Sequence, residues 1–225
     1  MSERMKVFEY FDKYRDFTYE RVKNGIEKYR KGNLKINVTD ADGKPVKNAK
    51  ITLKQTKHEF KHGANIFMLD EFDTEEKNEA YKNLFVKAFN MATLPFYWNA
   101  TEPEEGKTRY AKNSPKLYRR PPIDLCIEFC EKHGIEPREH GLAYEHLFPD
   151  WLKDKSVDEI KAHYEKRCKE ISERYADKIH TIEVTNEHHW FKGNTAFYEE
   201  DDFVEYCYKI ARKYFPNNQL GINDF

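Results

Sequence analysis

No stretch of this 225-residue sequence is apolar for the length that a membrane span needs. The amino terminus, Met-Ser-Glu-Arg, opens no apolar h-region, so neither a transmembrane helix nor a signal peptide is expected in it. Neither sign of charge predominates. The 39 Lys and Arg against 40 Asp and Glu leave a formal net charge of −1 with no long single-sign block, which argues against a nucleic-acid groove and a polybasic membrane anchor. Glycine is sparse, with 9 residues, and no Gly-rich phosphate loop follows the first expected strand, which weakens a dinucleotide-binding reading. Cysteine is sparser still, with 4 residues, at positions 126, 130, 168 and 207. Cys126 and Cys130 lie four apart on an expected helix, which is not zinc-ribbon spacing, and no second paired half follows. Buried free thiols are therefore expected, and with them a reducing, cytoplasmic setting, or secretion if a leader has been removed.

Aromatic residues are abundant: 15 Tyr, 16 Phe and 3 Trp make 15% of the chain. Rings stack on the apolar faces of sugars, which suits a carbohydrate site. They equally suit an ordinary core beneath a Tyr-rich surface.

The length allows one substantial core, or one domain with an appendage. Residues 3–31 are rich in charge and in Tyr and Phe, and Val7, Phe8, Phe11, Tyr14 and Phe17 recur at roughly helical spacing, which predicts one or two amphipathic helices. Alternating segments at 34–39 and 49–55 flank Asp42-Gly43 and predict a β-hairpin. Residues 1–58 are thus read as an N-terminal helix plus β-hairpin extension, and residues 59–225 as the main domain. There the pattern becomes strand then helix. Strands at 63–69, 89–95, 137–144, 180–185 and 219–225 alternate with helices at 74–89, 123–133, 156–175 and 201–214. Thr74 is a candidate N-cap, Ser156 and Glu159 form a capping box, and Gly134 is a stop signal. Repeated βα units imply right-handed crossovers and a parallel sheet. A (β/α)8 barrel fits this α/β pattern better than a dinucleotide fold, with five of its strands in hand.

The chain is organised around the stretch from His180 to Glu187, which reads as a buried strand ending on an amide and a carboxylate side by side, Asn186 and Glu187. Active sites of parallel barrels gather where strands end and βα loops begin. A carboxylate there, with Trp190 and Phe191 just after it, suits a general acid in a partly apolar pocket. It also suits the start of the next helix. His188 and His189 invite a metal reading, but adjacent side chains point differently and no third ligand has suitable spacing.

Several motifs, in this order along the chain, resemble glycoside hydrolase family 10, the retaining endo-1,4-β-xylanases. Phe89-Asn-Met-Ala-Thr and Trp98-Asn-Ala-Thr-Glu-Pro103 are similar to the family's strand-two region. His140-Gly-Leu-Ala-Tyr, followed by Pro149-Asp-Trp151, resembles the strand-three signature. Ile182-Glu-Val-Thr-Asn-Glu187 resembles the strand-four motif, and Leu220-Gly-Ile-Asn-Asp224 is similar to strand five. The resemblance covers about residues 60–225 and implies an incomplete TIM barrel. It implies Glu187 as acid/base, Asn186 as holder of a sugar 2-hydroxyl, and His140 as a sugar ligand at the barrel mouth. By the same token Glu145 and His146 become candidate ligands, and Trp98 and Trp151 candidate sugar platforms. No cofactor or metal is implied.

The departures are informative. Leu94-Pro95-Phe96-Tyr97 stands where the family has the strand-two glutamate-asparagine and lysine that grip the glycone sugar. Glu145 aligns with the second strand-three histidine, and Phe225 stands where the family usually has tyrosine. The family's nucleophile, a glutamate at the end of strand seven, has no matching position here. The implied function is hydrolysis of internal β-1,4 bonds in xylan or a related plant polysaccharide. The alternative is a non-catalytic carbohydrate-binding or interaction module derived from such an enzyme. The expected partner is a polysaccharide or oligosaccharide, with a complementary C-terminal barrel fragment or self-association to close the barrel; nucleic acid and membrane are not expected.

Overall fold

The computed structural model describes residues 6, 8–56, 58–188, 193 and 195–224, in two compact units, Met1–His58 and Glu59–Phe225. In the first unit, helices α1 (Glu9–Lys13) and α2 (Arg15–Tyr29) occupy the stretch whose aromatic spacing predicts them. The hairpin is smaller than its sequence pattern predicts. It closes on a turn in which the Asp40 carboxylate accepts the N–H groups of Asp42 (3.0 Å) and Lys44 (2.8 Å), with Gly43 at φ 79°. Pairing extends only to a Thr39–Pro45 bridge and a 2.9 Å bond from the Val46 N–H to the Val38 carbonyl. Residues 49–55 form no ladder with 34–39. Pro45 brings no N–H, and Asn48, at φ 58°, turns the chain out of extension before the second run begins.

The second unit holds five strands: β1 (Gly63–Asn65), β2 (Met91–Pro95), β3 (Glu136–His140), β4 (Thr181–Asn186) and β5 (Gln219–Asn223). They lie parallel in the order β1-β2-β3-β4-β5. Helices α3 (Glu75–Ala88), α5 (Ile123–His133), α6 (Val157–Tyr175) and α7 (Phe203–Tyr214) separate the strands, and the short α4 (Trp98–Thr101) follows β2. Sequential order is the winding of a barrel; a doubly wound sheet would reverse its order at a switch point. The unit is therefore an incomplete α/β barrel.

Local signals set the boundaries. The Thr74 hydroxyl accepts the Lys77 N–H at 3.3 Å and starts α3. Ser156 and Glu159 exchange both capping-box bonds and start α6. Gly134, at φ 63°, ends α5. β1 is shorter than expected, because the chain leaves the sheet after Asn65 into a turn closed by a 3.0 Å bond from Leu69 N–H to the Ile66 carbonyl.

Alternation divides the sheet into two faces. Ala92 and Leu94 of β2 and Ile182 and Val184 of β4 are buried in one hydrophobic cluster with Ile123 and Ile127 of α5 and Ile160 and Ile171 of α6. Each buried Ile or Leu contributes about 1.5–3 kcal/mol. All four cysteines are buried here as free thiols, and burial pushes those of Cys126 and Cys207 well up, away from reactive thiolate. The opposite face carries Arg138, His140 and Glu183. Arg167 of α6, 1% exposed, braces the mouth from below. It donates to the Leu142 carbonyl (3.3 Å), the Thr101 hydroxyl (2.7 Å) and the Phe96 carbonyl, and lies over the Trp98 ring. Among the described residues no helix is long and apolar enough to cross a membrane.

Candidate active site

The carboxyl ends of four adjacent strands converge on Tyr97, His140, Tyr144, Asn186, Glu187 and Asn223. Glu187 follows β4 at φ 51°, a left-handed conformation that is rare for a residue with a side chain and that clusters at functional sites. Its N–H bonds the Asn223 carbonyl at 2.9 Å, so β5 fixes where the carboxylate leaves the strand. The Tyr144 hydroxyl then donates to Glu187 Oε2 at 2.5 Å. Burial, the bond to Glu187 and the charge of that carboxylate all push the Tyr144 hydroxyl pKa up, so it stays a donor. Asn186, 3% exposed, accepts from Asn223 Nδ2 on its Oδ1 at 2.6 Å. That leaves its amide NH2 as the group available to a ligand oxygen.

A second chain of bonds runs behind this pair. Glu183, 1% exposed, accepts from Arg138 Nη2 at 2.6 Å and lies 2.6 Å from His140 Nδ1. A carboxylate paired with arginine is an acceptor, so Nδ1 carries the imidazole proton and Nε2 accepts from the Tyr97 hydroxyl at 2.9 Å. Burial pushes the Tyr97 hydroxyl up to about 12; Arg120 pulls the other way, and the charges of Glu183 and Glu187 add to the rise. The Tyr97 ring also packs against Tyr144, centroids 6.0 Å apart, which joins the two sets.

The expected site residues separate accordingly. Glu187, Asn186 and His140 come together. Both nitrogens of His140 bond within the protein, however, so its reach into the cleft is through Tyr97 and not as a direct sugar ligand. Glu145 is 2% exposed in a 3₁₀ turn, where its charge falls near Tyr198. His146 is exposed at the rim, its ring 5.9 Å from that of Tyr144. Trp98 is a core residue, not a platform: it is 2% exposed, packs edgewise on Phe148 and Trp151, and donates its indole N–H to Glu102 at 3.0 Å. Trp151 is half-buried beside Trp98 and His163 and donates to the Glu102 carbonyl at 3.0 Å, which directs it into the loop and not onto the cleft. Glu102 is itself buried, accepting from Trp98 and from the Gly106 N–H at 2.9 Å. His188 pairs with Asp224 at 3.3 Å. His189, Trp190, Phe191 and Phe225 lie outside the described residues. Among the described residues no three His, Cys, Asp or Glu side chains are placed to hold a metal ion.

Tyr97 and Tyr144 carry roles that sequence reasoning missed. Tyr144 ends the strand-three motif, and its hydroxyl was the available signal. The alternation Arg138, His140 placed both on one face, but their meeting with Glu183 depends on a register that no local pattern encodes.

Comparison with known proteins bears on the family and the fold. The profile of Glycosyl hydrolase family 10 matches residues 55–225. The chain is 24% identical over 215 residues to endo-1,4-beta-xylanase 1 of Arabidopsis thaliana, covering 92% of this chain and 20% of that protein. It is 26% identical over 154 residues to a beta-1,4-xylanase of Dictyoglomus thermophilum, covering 64% and 41%. It is 24% identical over 212 residues to anti-sigma-I factor RsgI6 of Acetivibrio thermocellus, covering 91% and 25%. Among solved structures, an endo-1,4-beta-xylanase from Caldicellulosiruptor owensensis shares the fold at a TM-score of 0.60 and 21% identity, over 73% of this chain and 50% of that one. The chain thus spans 20% to 33% of the length of the first Arabidopsis relatives and half of this solved xylanase. With the profile match running across the whole strand-and-helix unit, the chain belongs to glycosyl hydrolase family 10.

Proposed function

We propose that this chain supplies the acid/base side of a retaining glycosidase site that cleaves internal β-1,4 bonds in xylan or a related plant polysaccharide. Glu187 is the acid/base. The observation that carries the reading is its placement: a carboxyl group at the end of β4, aimed by the Tyr144 hydroxyl at 2.5 Å and flanked by Asn186. With Oε2 held by Tyr144, Oε1 is the oxygen left to deliver a proton to the leaving glycosidic oxygen. In the second step the same atom takes a proton from water. Asn186 donates to the sugar 2-hydroxyl. The nucleophilic carboxylate comes from the barrel beyond β5, since a retaining pair stands about 5–5.5 Å apart and Glu183 is committed to Arg138 and His140. Residues 1–58 are an N-terminal extension of this barrel portion. β1 and β5, each paired on one side among the described strands, are the edges where a complementary barrel segment or a second copy completes the sheet.

The test is reducing-sugar release from xylan and from β-1,4-glucan by the protein joined by a complementary barrel segment that carries the nucleophile, and by the same assembly with Glu187→Gln. Release abolished by the substitution, with the first-formed product keeping the β configuration by NMR, is the expected result. Release unaffected by it, or an inverted product, overturns the assignment. The similarity to an anti-sigma-I factor favours one second reading, a carbohydrate-binding or interaction module without turnover. Binding to xylan with no sugar released by the wild-type assembly, nucleophile segment included, would select it.

A further inference from the structure

Arg120 closes the long segment between β2 and α5, and its backbone is fixed. Its carbonyl accepts from Arg109 Nη2 at 2.9 Å, and its N–H bonds the Leu117 carbonyl at 2.9 Å. Arg109, 5% exposed, holds the same segment through the carbonyls of Pro115 (2.6 Å) and Ala100 (2.8 Å). From this anchor the Arg120 guanidinium lies across the Tyr97 ring, 4.4 Å from its centroid, and 5.5 Å from that of Phe67. Both rings are buried, so the guanidinium is half out of water and its plane is set by stacking.

What it lacks is a counter-charge. Its Nη1 donates to the Arg119 carbonyl at 2.9 Å, and among the described residues no carboxylate lies within ion-pair distance of it. The neighbouring Arg119 adds charge of the same sign. Arg138 is matched by Glu183 and Arg174 by Asp124, while the buried Arg109 and Arg167 spend their donors on carbonyls and a hydroxyl, which the half-buried Arg120 does with one donor alone. A half-desolvated cation with N–H donors to spare is complementary to a planar anion, which a guanidinium grips by two parallel bonds. Its position says which anion. Tyr97, on which it stacks, bonds His140 and packs on Tyr144, the residue that holds Glu187. The cation therefore borders the proposed sugar cleft.

We propose that Arg120 forms a subsite for the carboxylate of an acidic sugar unit, so that the cleft selects glycans bearing uronic acid over neutral ones. This rests on the sugar-cleft reading of the same site. The test is calorimetric binding, in low salt, of three xylo-oligosaccharides of one backbone length: unbranched, bearing one glucuronic acid branch, and bearing that branch with its carboxyl reduced to the alcohol. Wild-type protein is expected to bind the acidic oligosaccharide about tenfold more tightly than either neutral one, the range of a charge-assisted bond. Arg120→Gln is expected to bind all three alike, and Arg120→Lys to keep a reduced preference. Equal binding of the acidic and reduced oligosaccharides by wild-type protein overturns the subsite and leaves the cleft standing. So does a preference that survives in Arg120→Gln. Failure of all three to bind overturns the cleft and the subsite together.

Discussion

Replacing Tyr144 by Phe removes one oxygen from the site and leaves the ring that packs on Tyr97. The lost bond is an O–H to carboxylate contact of 2.5 Å. Bonds to charged groups contribute about 1.5–3 kcal/mol, and because Glu187 is only half-buried, water replaces part of that, leaving about 1–2 kcal/mol. If the bond serves to aim the acid, that energy appears in the step where a proton reaches the leaving oxygen, as a rate loss of about 5- to 30-fold. The assay that isolates this step compares two leaving groups in the barrel completed by the segment that carries the nucleophile. Xylan needs the proton, while an aryl xylobioside with an acidic phenol departs without it. Tyr144→Phe should lower kcat on xylan by that factor and leave cleavage of the aryl substrate within about twofold. Equal losses on both substrates would mean that Tyr144 only holds the fold, and no loss on either would mean that the bond has no part in proton delivery.

Arg167→Met should destabilise the protein by roughly 3–5 kcal/mol, read from urea midpoints, because it strands the carbonyls of Leu142 and Phe96 and the Thr101 hydroxyl that Arg167 now satisfies. Glu139 is fully buried and bonds only the Glu183 N–H, at 2.8 Å; burial and then the charge of Glu183 push its carboxyl well above the ordinary range, against the pull of Arg167. The native state therefore keeps a proton that the unfolded chain releases, and stability falls as pH rises above the ordinary carboxylate range. Glu139→Gln should match wild type in unfolding at about pH 4 and exceed it at pH 8; parallel curves would refute this. Asp124 is the opposite case. Although burial would raise it, the Arg174 guanidinium and the Tyr175 hydroxyl, 2.7 Å away, hold its carboxyl below the ordinary range. Its contribution is present above that range and lost as pH falls through it, so Asp124→Asn should flatten the acid side of the thermal-stability profile.

The barrel unit was readable where its signals are local. Thr74, Gly134 and the Ser156–Glu159 pair mark helix ends by chemistry contained in four residues, and the structure places those ends within one residue of the expectation. The hairpin misled because Asp42-Gly43 does make a turn, while Pro45 and Asn48 stop the ladder that alternation promised. Trp98 and Trp151 misled because residue type does not say which face of a loop a ring will occupy; Glu102 folds that loop inward and takes both indoles with it. That Asn186 ends a strand and Glu187 follows it was legible, because a buried β-branched run stopping on polar residues marks a strand end. The bonds that aim them were not, since Tyr144 and Glu187 are 43 residues apart and meet only through the register of β3 and β4.

The bonds of Arg138, His140 and Tyr97 converge on Glu183, each group donating toward that carboxylate. With its hydrogen turned toward His140, the Tyr97 oxygen keeps a lone pair for a donor from the cleft, while Asn186 offers the hydrogens of its amide. One strand end thus presents an acceptor and another a donor, so that a hydroxyl group arriving between them is favoured in one orientation over its reverse with no backbone atom displaced.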